Sequence, residues 1–544
     1  MDPSKSEPVN EKEEKTTEEI PHKTEHETTE DIDESSPLKP NENEKPNEKN
    51  EKEKEDEVPK KLTFRERLKL IKDNTTVEPI MACYIMPSVL ASLAIQNLNL
   101  EKACRVNLNY TSEVCDALNL RQTENYTYEE QEVQKLTASI AVWKNVIQTS
   151  IPVLLILFVG AWSDKTGKRK ACIMLPIVGE FLACLGFIVN TYFFYELPLE
   201  VCALTEAIFP AITGGWFTNF IGVFSYIGDI TTEENRTYRV GLVNMFMSLG
   251  YPIGSALSGV MLSWVGYYGV FSVSSALYMF SLAYGYYYLK DPKQRAEKKI
   301  ENKKHKKKCF LREFFDLALV METFTVVFKK GPGNRRMRVC LLLIVVCVVF
   351  GPMHGEFSVM YLFTRYRFNW DEVQYSMWST YSIVTNLFGT FFSITLFSNY
   401  LKLDDTILGI ISNTSKIVAS FAYAFARNDL EIYLAPLLEI LNGTSFIAMR
   451  SIATKLVNGE EFGKVNSLFG LAEATMPLVY GPLYSRVYMA TLDILPGAVF
   501  LLGSLMTLPA IAIFGWLYFE HKKDIVRNEA MGMDCEKQQA EQLK

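Results

Sequence analysis

The sequence has no glycine-rich nucleotide loop, no Cys/His cluster at metal-ligand spacing and no nucleophile elbow. Enzyme chemistry of those classes finds no support, and no cofactor, metal or nucleic-acid partner is expected. Histidine is scarce, with five in 544 residues. The first 60 residues have almost no aromatic or branched apolar side chains, while carrying 21 Asp/Glu and 10 Lys/Arg. Such a segment buries too little surface to offset its chain entropy, and disorder is expected for residues 1–72. A short basic-then-apolar leader is also missing before the first apolar run. That run is therefore expected to act as its own insertion signal, with the acidic tail in the cytosol.

What remains is apolar and aromatic-rich. A hydrocarbon core of about 30 Å takes roughly 20 apolar residues as a helix. Twelve such runs occur, near 79–98, 138–161, 171–193, 200–226, 240–264, 266–289, 339–363, 373–397, 405–426, 430–456, 464–489 and 495–519. Only helices satisfy every backbone group within one lipid-embedded segment. The expected fold is an all-α membrane protein with twelve transmembrane helices in two six-helix bundles, both termini cytosolic. The expected parts are an acidic tail (1–72), a first bundle (73–289), a linker (290–338), a second bundle (339–519) and a tail (520–544).

Loop charge sets the orientation. The linker 290–338 holds 16 Lys/Arg against 6 Asp/Glu. Its cluster Lys303-Lys304-His305-Lys306-Lys307-Lys308 precedes an amphipathic stretch, Phe310 to Phe328, suited to the surface of an anionic leaflet. The first outward loop carries glycosylation acceptors at Asn109 and Asn125. It also holds Cys104 and Cys115, of ten cysteines the two that would face an oxidising compartment. They are expected to pair; two free thiols are the alternative.

Between the second and third runs stands Gly160-Ala-Trp-Ser-Asp164-Lys-Thr-Gly167-Lys168-Arg169-Lys170. The glycines suit a tight turn and close helix approach, and the cations fix topology. Six helices, a basic linker and six more helices, with this loop, resemble the major facilitator superfamily. By that resemblance Asp164 is a gating residue that accepts hydrogen bonds from a helix end or pairs with a cation of the opposite half. A plain charged turn is the alternative.

Three further stretches narrow the resemblance: Ala103 to Thr111, Tyr226-Ile-Gly-Asp229 through Arg236-Thr-Tyr-Arg239, and Met449-Arg450 through Val457. Over about 79–519 the chain resembles solute carrier family 46, which contains the proton-coupled folate transporter and its lysosomal and thymic relatives. The resemblance implies proton-driven symport of an organic anion or bulky metabolite, at the plasma membrane or the lysosome. Arg450 matches a helix-ten arginine tied to substrate and proton binding. Lys168 replaces an arginine, keeping charge without the bidentate fork. Other family positions depart: Asn244 stands for a coupling glutamate, Gly215 for an aspartate and Gly351 for a histidine. A cysteine that would bridge the halves is missing near Trp370.

Ionisable residues within a bilayer are costly and mark pathways. The candidates are Lys144, Glu180, Glu206, His354, Glu356, Lys416, Glu439, Arg450 and Glu473. His354 is the one histidine within an expected span, and an imidazole titrates as a compartment acidifies. Gly351-Pro352 before it is expected to interrupt the helix. A packing histidine, a Glu356 in an outer vestibule, and an Arg450 paired with Glu473 or Glu439 are the structural alternatives. Lys144 is expected near the outer end of its helix, snorkelling. Lys416 lies too deep for that and calls for a carboxylate. Trp216, beside Gly214 and Gly215, either stacks on a flat substrate or fills the groove those glycines open. An uncoupled facilitator and a receptor-like scaffold on the same fold are the competing functions.

Overall fold

Residues 76–231, 233–290, 334–401, 403–456 and 459–542, with isolated positions between 321 and 331, are described by a computed structural model of the chain. Within those ranges, the side chains of 157, 160, 161, 164–166, 233–238, 394, 398, 399, 459–464, 466, 467 and 528–542 are outside the description. So are the acidic tail 1–72, the Lys303–Lys308 cluster and most of the amphipathic stretch after it. Everything described belongs to one unit, residues 68–544.

Among the described residues the regular structure is helical. Helix α1 (Glu78–Lys102) ends in a π turn, Ala103–Asn107, and α2 (Ser112–Asn119) is short. Helix α3 (Thr127–Thr166) places Glu129 and Glu130 in its first turn, where unpaired N–H groups favour negative charge. Gly167 closes it in the left-handed conformation (φ 68°), its N–H bonding back to the Ser163 carbonyl. Then follow α4 (Arg169–Tyr192), α5 (Leu199–Thr213), α6 (Gly215–Ile230) and α7 (Glu233–Tyr288). The second set is α8 (Arg335–Phe368), α9 (Glu372–Ser393, with a π segment Ile394–Tyr400), α10 (Asp405–Phe425), α11 (Asp429–Leu438), α12 (Thr444–Leu456), α13 (Gly459–Thr491) and α14 (Ala498–Gln542).

Nine helical segments among the described residues are long and apolar enough to cross a membrane. One of them, Arg239–Tyr288, has 50 residues and breaks at Gly266 (φ 62°). At 1.5 Å per residue it is about 75 Å long, more than twice a hydrocarbon core. Helices α11, α12 and α13 fall outside the set, the first two because they are short and α13 because it is more polar. Many large apolar side chains face outward, among them Phe388, Phe391, Leu154 and Leu505. Water-soluble surfaces rarely carry such a band, and a lipid surround accounts for it.

The elements correct several expectations. Helix α3 begins at Thr127 rather than near 138, because one face of the polar segment 127–137, with Glu130, Val133 and Gln134, is buried instead of forming a loop. The runs 200–226 and 430–456 are each two helices. The first breaks at Gly214 (φ 90°) and the second over Glu439–Gly443. Helix α8, by contrast, passes unbroken through Gly351-Pro352. Its glycines serve contact instead of a break: a β-carbon on Gly351 or Gly355 would overlap the ring of Tyr480 or Tyr484 on α13.

Without a hydrophobic drive between helices in lipid, small residues set the packing. Helix α1 nests along α7, with Ser274 and Ser281 donating to the carbonyls of Pro87 and Ile80. In the second set, Gly389 of α9 lies on the Ile440 carbonyl at the helix break. Three apolar clusters each stay within one set of helices, 76–290 or 334–542. A fourth crosses between the sets at the end carrying the Cys104–Cys115 disulfide, joining Leu100, Leu118 and Val133 to Phe363, Trp370, Tyr488 and Phe500.

The Gly389 contact leaves no room for a branched side chain. Gly389→Val should lower stability by about 1–3 kcal/mol, the usual cost of overpacking, read as a lower melting temperature of the detergent-purified protein.

Candidate substrate and ion pathway

Where the two sets of helices face each other, a cavity of about 290 Å³ opens between α1, α3, α5, α8 and α13. Its walls are polar for a space inside a membrane protein. Gln96, Asn99, Asn145 and Gln148 contribute carboxamides, while Ser92, Thr137, Ser358 and Ser485 contribute hydroxyls. Lys144 and Glu206 stand in the same wall, joined by a 2.7 Å ion pair. Lys144 therefore does not snorkel. With α3 starting at Thr127, it lies 17 residues in, about 25 Å along the helix at 1.5 Å per residue, and it needs a carboxylate at that depth. His354 and Phe357 complete the cavity from α8.

Glu356, two residues from His354, points the other way, into the second set of helices. Its Oε2 receives Lys416 Nζ of α10 at 2.6 Å, and the same ammonium reaches Glu439 Oε1 at 2.9 Å. Asn442 Nδ2 also donates to Glu439 Oε1, at 2.9 Å. The deep lysine thus has two carboxylates, and Glu356 is buried rather than in a vestibule. Arg450 and Glu473 pair with each other at 2.9 Å, with Arg450 half exposed, and neither lines the cavity. Among the described residues Glu180 has no hydrogen bond or ion pair. Trp216 is also outside the cavity wall, packed edge-on against Phe220 on an exposed face of α6.

The disulfide end is closed by a polar network that the sequence reading did not anticipate. Arg365 Nε of α8 meets Glu130 Oε1 of α3 at 2.9 Å, and both are buried. Gln134 Nε2 donates to the same carboxylate at 2.8 Å and its Oε1 accepts from the Tyr488 hydroxyl at 2.8 Å. The Tyr361 hydroxyl donates to Asn97 Oδ1 at 2.6 Å, and Arg365 Nη2 donates to the Leu118 carbonyl of α2 at 3.3 Å. Arg121, in the loop between α2 and α3, lies beside this group. Burial lowers its guanidinium pKa, and the Arg365 cation adds to the shift. The separation of 235 positions between Glu130 and Arg365 hides the pair from sequence, since no local spacing announces it. Their presence near the ends of two long apolar helices was the only available signal.

In the stretch Gly160–Lys170 between the second and third runs, the side chains of Gly160 and Asp164 lie outside the description. Lys168 is exposed, with its ammonium 5.7 Å from the centre of the Trp162 ring. Arg169 is buried and bonds Asp229 Oδ2 (2.9 Å) and Ser163 Oγ (2.9 Å) within its own set of helices. Arg239, at the other end of the Asp229 motif, pairs with Glu78 at the start of α1 (3.3 Å). That motif therefore ties helix ends together. Cys104 and Cys115 form a disulfide, and Asn109 and Asn125 are exposed.

The family model described as Major Facilitator Superfamily matches residues 131–482. The chain belongs to the major facilitator superfamily. It is a multi-pass membrane transporter and not a member of an enzyme family, and it is similar to members of solute carrier family 46. The "Probable peptidoglycan muropeptide transporter SLC46" of Drosophila melanogaster is 21% identical, covering 83% of this chain and 87% of the relative. The "Lysosomal proton-coupled steroid conjugate and bile acid symporter SLC46A3" of Gallus gallus is 24% identical, covering 81% and 93%. "Solute carrier family 46 member 2" of Mus musculus is 24% identical, covering 88% and 98%. Among solved structures, a point mutant of the nucleoside transporter NupG superposes with a TM-score of 0.50 at 13% identity, covering 80% of this chain and 98% of that one, and shares the fold alone.

For a major facilitator protein, the Glu130–Arg365 pair has a direct consequence for access. Removing one partner of a buried ion pair typically costs about 3–5 kcal/mol, so Glu130→Gln should loosen the closed end. A cysteine placed at Asn97 should then react faster with a membrane-impermeant maleimide applied from the disulfide side than it does without the substitution.

Proposed function

We propose that the chain is a proton-coupled symporter of an organic anion, working by alternating access at the plasma or lysosomal membrane. The observation that carries this reading is the Lys144–Glu206 pair beside His354 in the cavity between the two sets of helices. A lysine there offers a cation to a substrate carboxylate or phosphate. A substrate anion that draws this cation leaves Glu206 without its partner, and His354 stands in the same cavity wall. The relatives named as proton-coupled symporters support the coupling.

In this reading the chain crosses the bilayer twelve times, with both termini in the cytosol, and Arg239–Tyr288 contributes two crossings. The crossings form two six-helix bundles, 73–289 and 339–519, joined by a basic linker at 290–338 on the cytosolic leaflet. The disulfide end faces outward and is glycosylated at Asn109 and Asn125, and Asp164 latches the cytosolic end. With the disulfide end sealed by Arg365 and Glu130, the form described is the one closed to the outside. The interruptions at Gly214 and at Glu439–Gly443 fall on the fourth helix of each bundle. Discontinuous helices at matching positions of the two halves are a mark of transporter binding sites.

The cavity chemistry also bears on the cargo. Four carboxamides and four hydroxyls share the wall with the rings of Phe357 and His354 and with apolar side chains such as Ile140, Leu199 and Leu362. Such walls suit a solute rich in amides and hydroxyls better than a flat ring system. This favours the muropeptide class named for the Drosophila relative over steroid conjugates. The volume is near the small end of ligand pockets, about 300–1,000 Å³, so it holds the anionic anchor of such a molecule.

The test is uptake of a labelled muropeptide by proteoliposomes. Uptake should rise with an inward proton gradient and fall at least about tenfold in Lys144→Met, the factor that ~1.4 kcal/mol represents. Equal rates from about pH 5.5 to 7.5, the histidine range, would remove the coupling and leave a passive facilitator.

A further inference from the structure

Two carboxylates share one ammonium in the interior of the second bundle, away from the cavity wall. Lys416 of α10 is the centre, with Glu356 of α8 and Glu439 at the α11–α12 break as its partners. With all three ionised the group carries one net negative charge. Burying an uncompensated charge is costly, and one proton removes it.

The two carboxylates are not equivalent. Glu439 is the more exposed, and its bonded oxygen accepts from both Lys416 and Asn442. Glu356 is buried, and its Oε1 has no hydrogen-bond partner. That oxygen faces Gly503 of α14, where a β-carbon would overlap it and would also touch the Tyr484 hydroxyl. The Tyr484 hydroxyl, on α13, is likewise buried without a partner. The charged groups acting on Glu356 are Lys416 and Glu439. The neutral ones facing it are Tyr484 and, beneath the ammonium, the Tyr423 ring of α10 at 5.9 Å.

We infer that Glu356 Oε1 is a proton-binding site of the transporter, with Lys416 and Glu439 as its counter-charges and Tyr484 as the acceptor for the bound proton. The site rests on the symport reading above and supplies the coupling ion's place, distinct from the cargo cavity. Binding converts the Glu356 carboxylate to the acid, which can then donate to Tyr484; release returns the same proton, and no other bond changes. Protonation weakens the hold of Glu356 on Lys416 and leaves the ammonium to Glu439. One proton thereby loosens α8, the helix that carries Arg365 and Tyr361 of the outer closure, from α10. The same event tightens α10 onto the α11–α12 break.

Two measurements on the full chain in liposomes judge this. In the first, infrared difference spectra between alkaline and acidic pH should show an acid-carbonyl band that Glu356→Gln removes and Glu180→Gln keeps. A Glu356→Gln spectrum identical to that of the unsubstituted protein overturns the site. That variant keeps the Lys416–Glu439 pair and loses a buried charge, so its melting temperature should hold and should vary less with pH. In the second, with a labelled muropeptide as probe, Glu356→Gln should exchange cargo across a membrane without a pH gradient but fail to accumulate it when a gradient is imposed. Accumulation equal to that of the unsubstituted protein also overturns the site. If the unsubstituted protein fails to accumulate cargo, the symport reading falls, while the infrared band still decides whether Glu356 takes the proton.

Discussion

Arg365 and Glu130 meet where the two sets of helices close, and most of the molecule's functional geometry follows from that contact. A guanidinium and a carboxylate withdrawn from water hold only if each finds the other and the remaining donors find acceptors. Here Asn97 Oδ1 and the Leu118 carbonyl accept from Arg365, and Gln134 Nε2 donates to Glu130. The network draws α1, α2, α3 and α8 together at one end, and an apolar cluster seals around it. Below the seal the cavity remains, lined by groups that need a polar occupant. The same rule explains Lys144 with Glu206 and Lys416 with Glu356 and Glu439, since a charge within the hydrocarbon layer is far less costly where its opposite stands ready.

Much of the scaffold was legible because its signal is local. Apolar runs marked the helices, and Cys104 and Cys115 stood out among ten cysteines because only they lay in an outward loop. Lys416 was recognised as needing a carboxylate, from depth alone. The identity of that carboxylate was not legible: Glu356 and Glu439 lie 60 and 23 residues away, and helix rotation decides which residues face inward. Lys144 was misread because the polar start of α3 looks like a loop until other helices cover it. The helix breaks were missed for a related reason. Gly214 interrupts its helix, while Gly351-Pro352, the stronger breaking signal, is held in a continuous helix whose glycines fit against Tyr480 and Tyr484.

Two of the chain's intramembrane acids stand at or near the helix interruptions. Glu206 lies about two turns before the Gly214 break, and Glu439 lies at the corresponding break of the second set. A short helix end at such an interruption can turn with less cost than the middle of a long helix.

The Cys104–Cys115 disulfide spans 11 residues and pins the start of α2 to the end of α1. Helix α2 in turn presents the Leu118 carbonyl to Arg365. A covalent bond is thus two steps from the Arg365–Glu130 contact, so the placement of the Leu118 carbonyl depends on a link that no cavity residue makes.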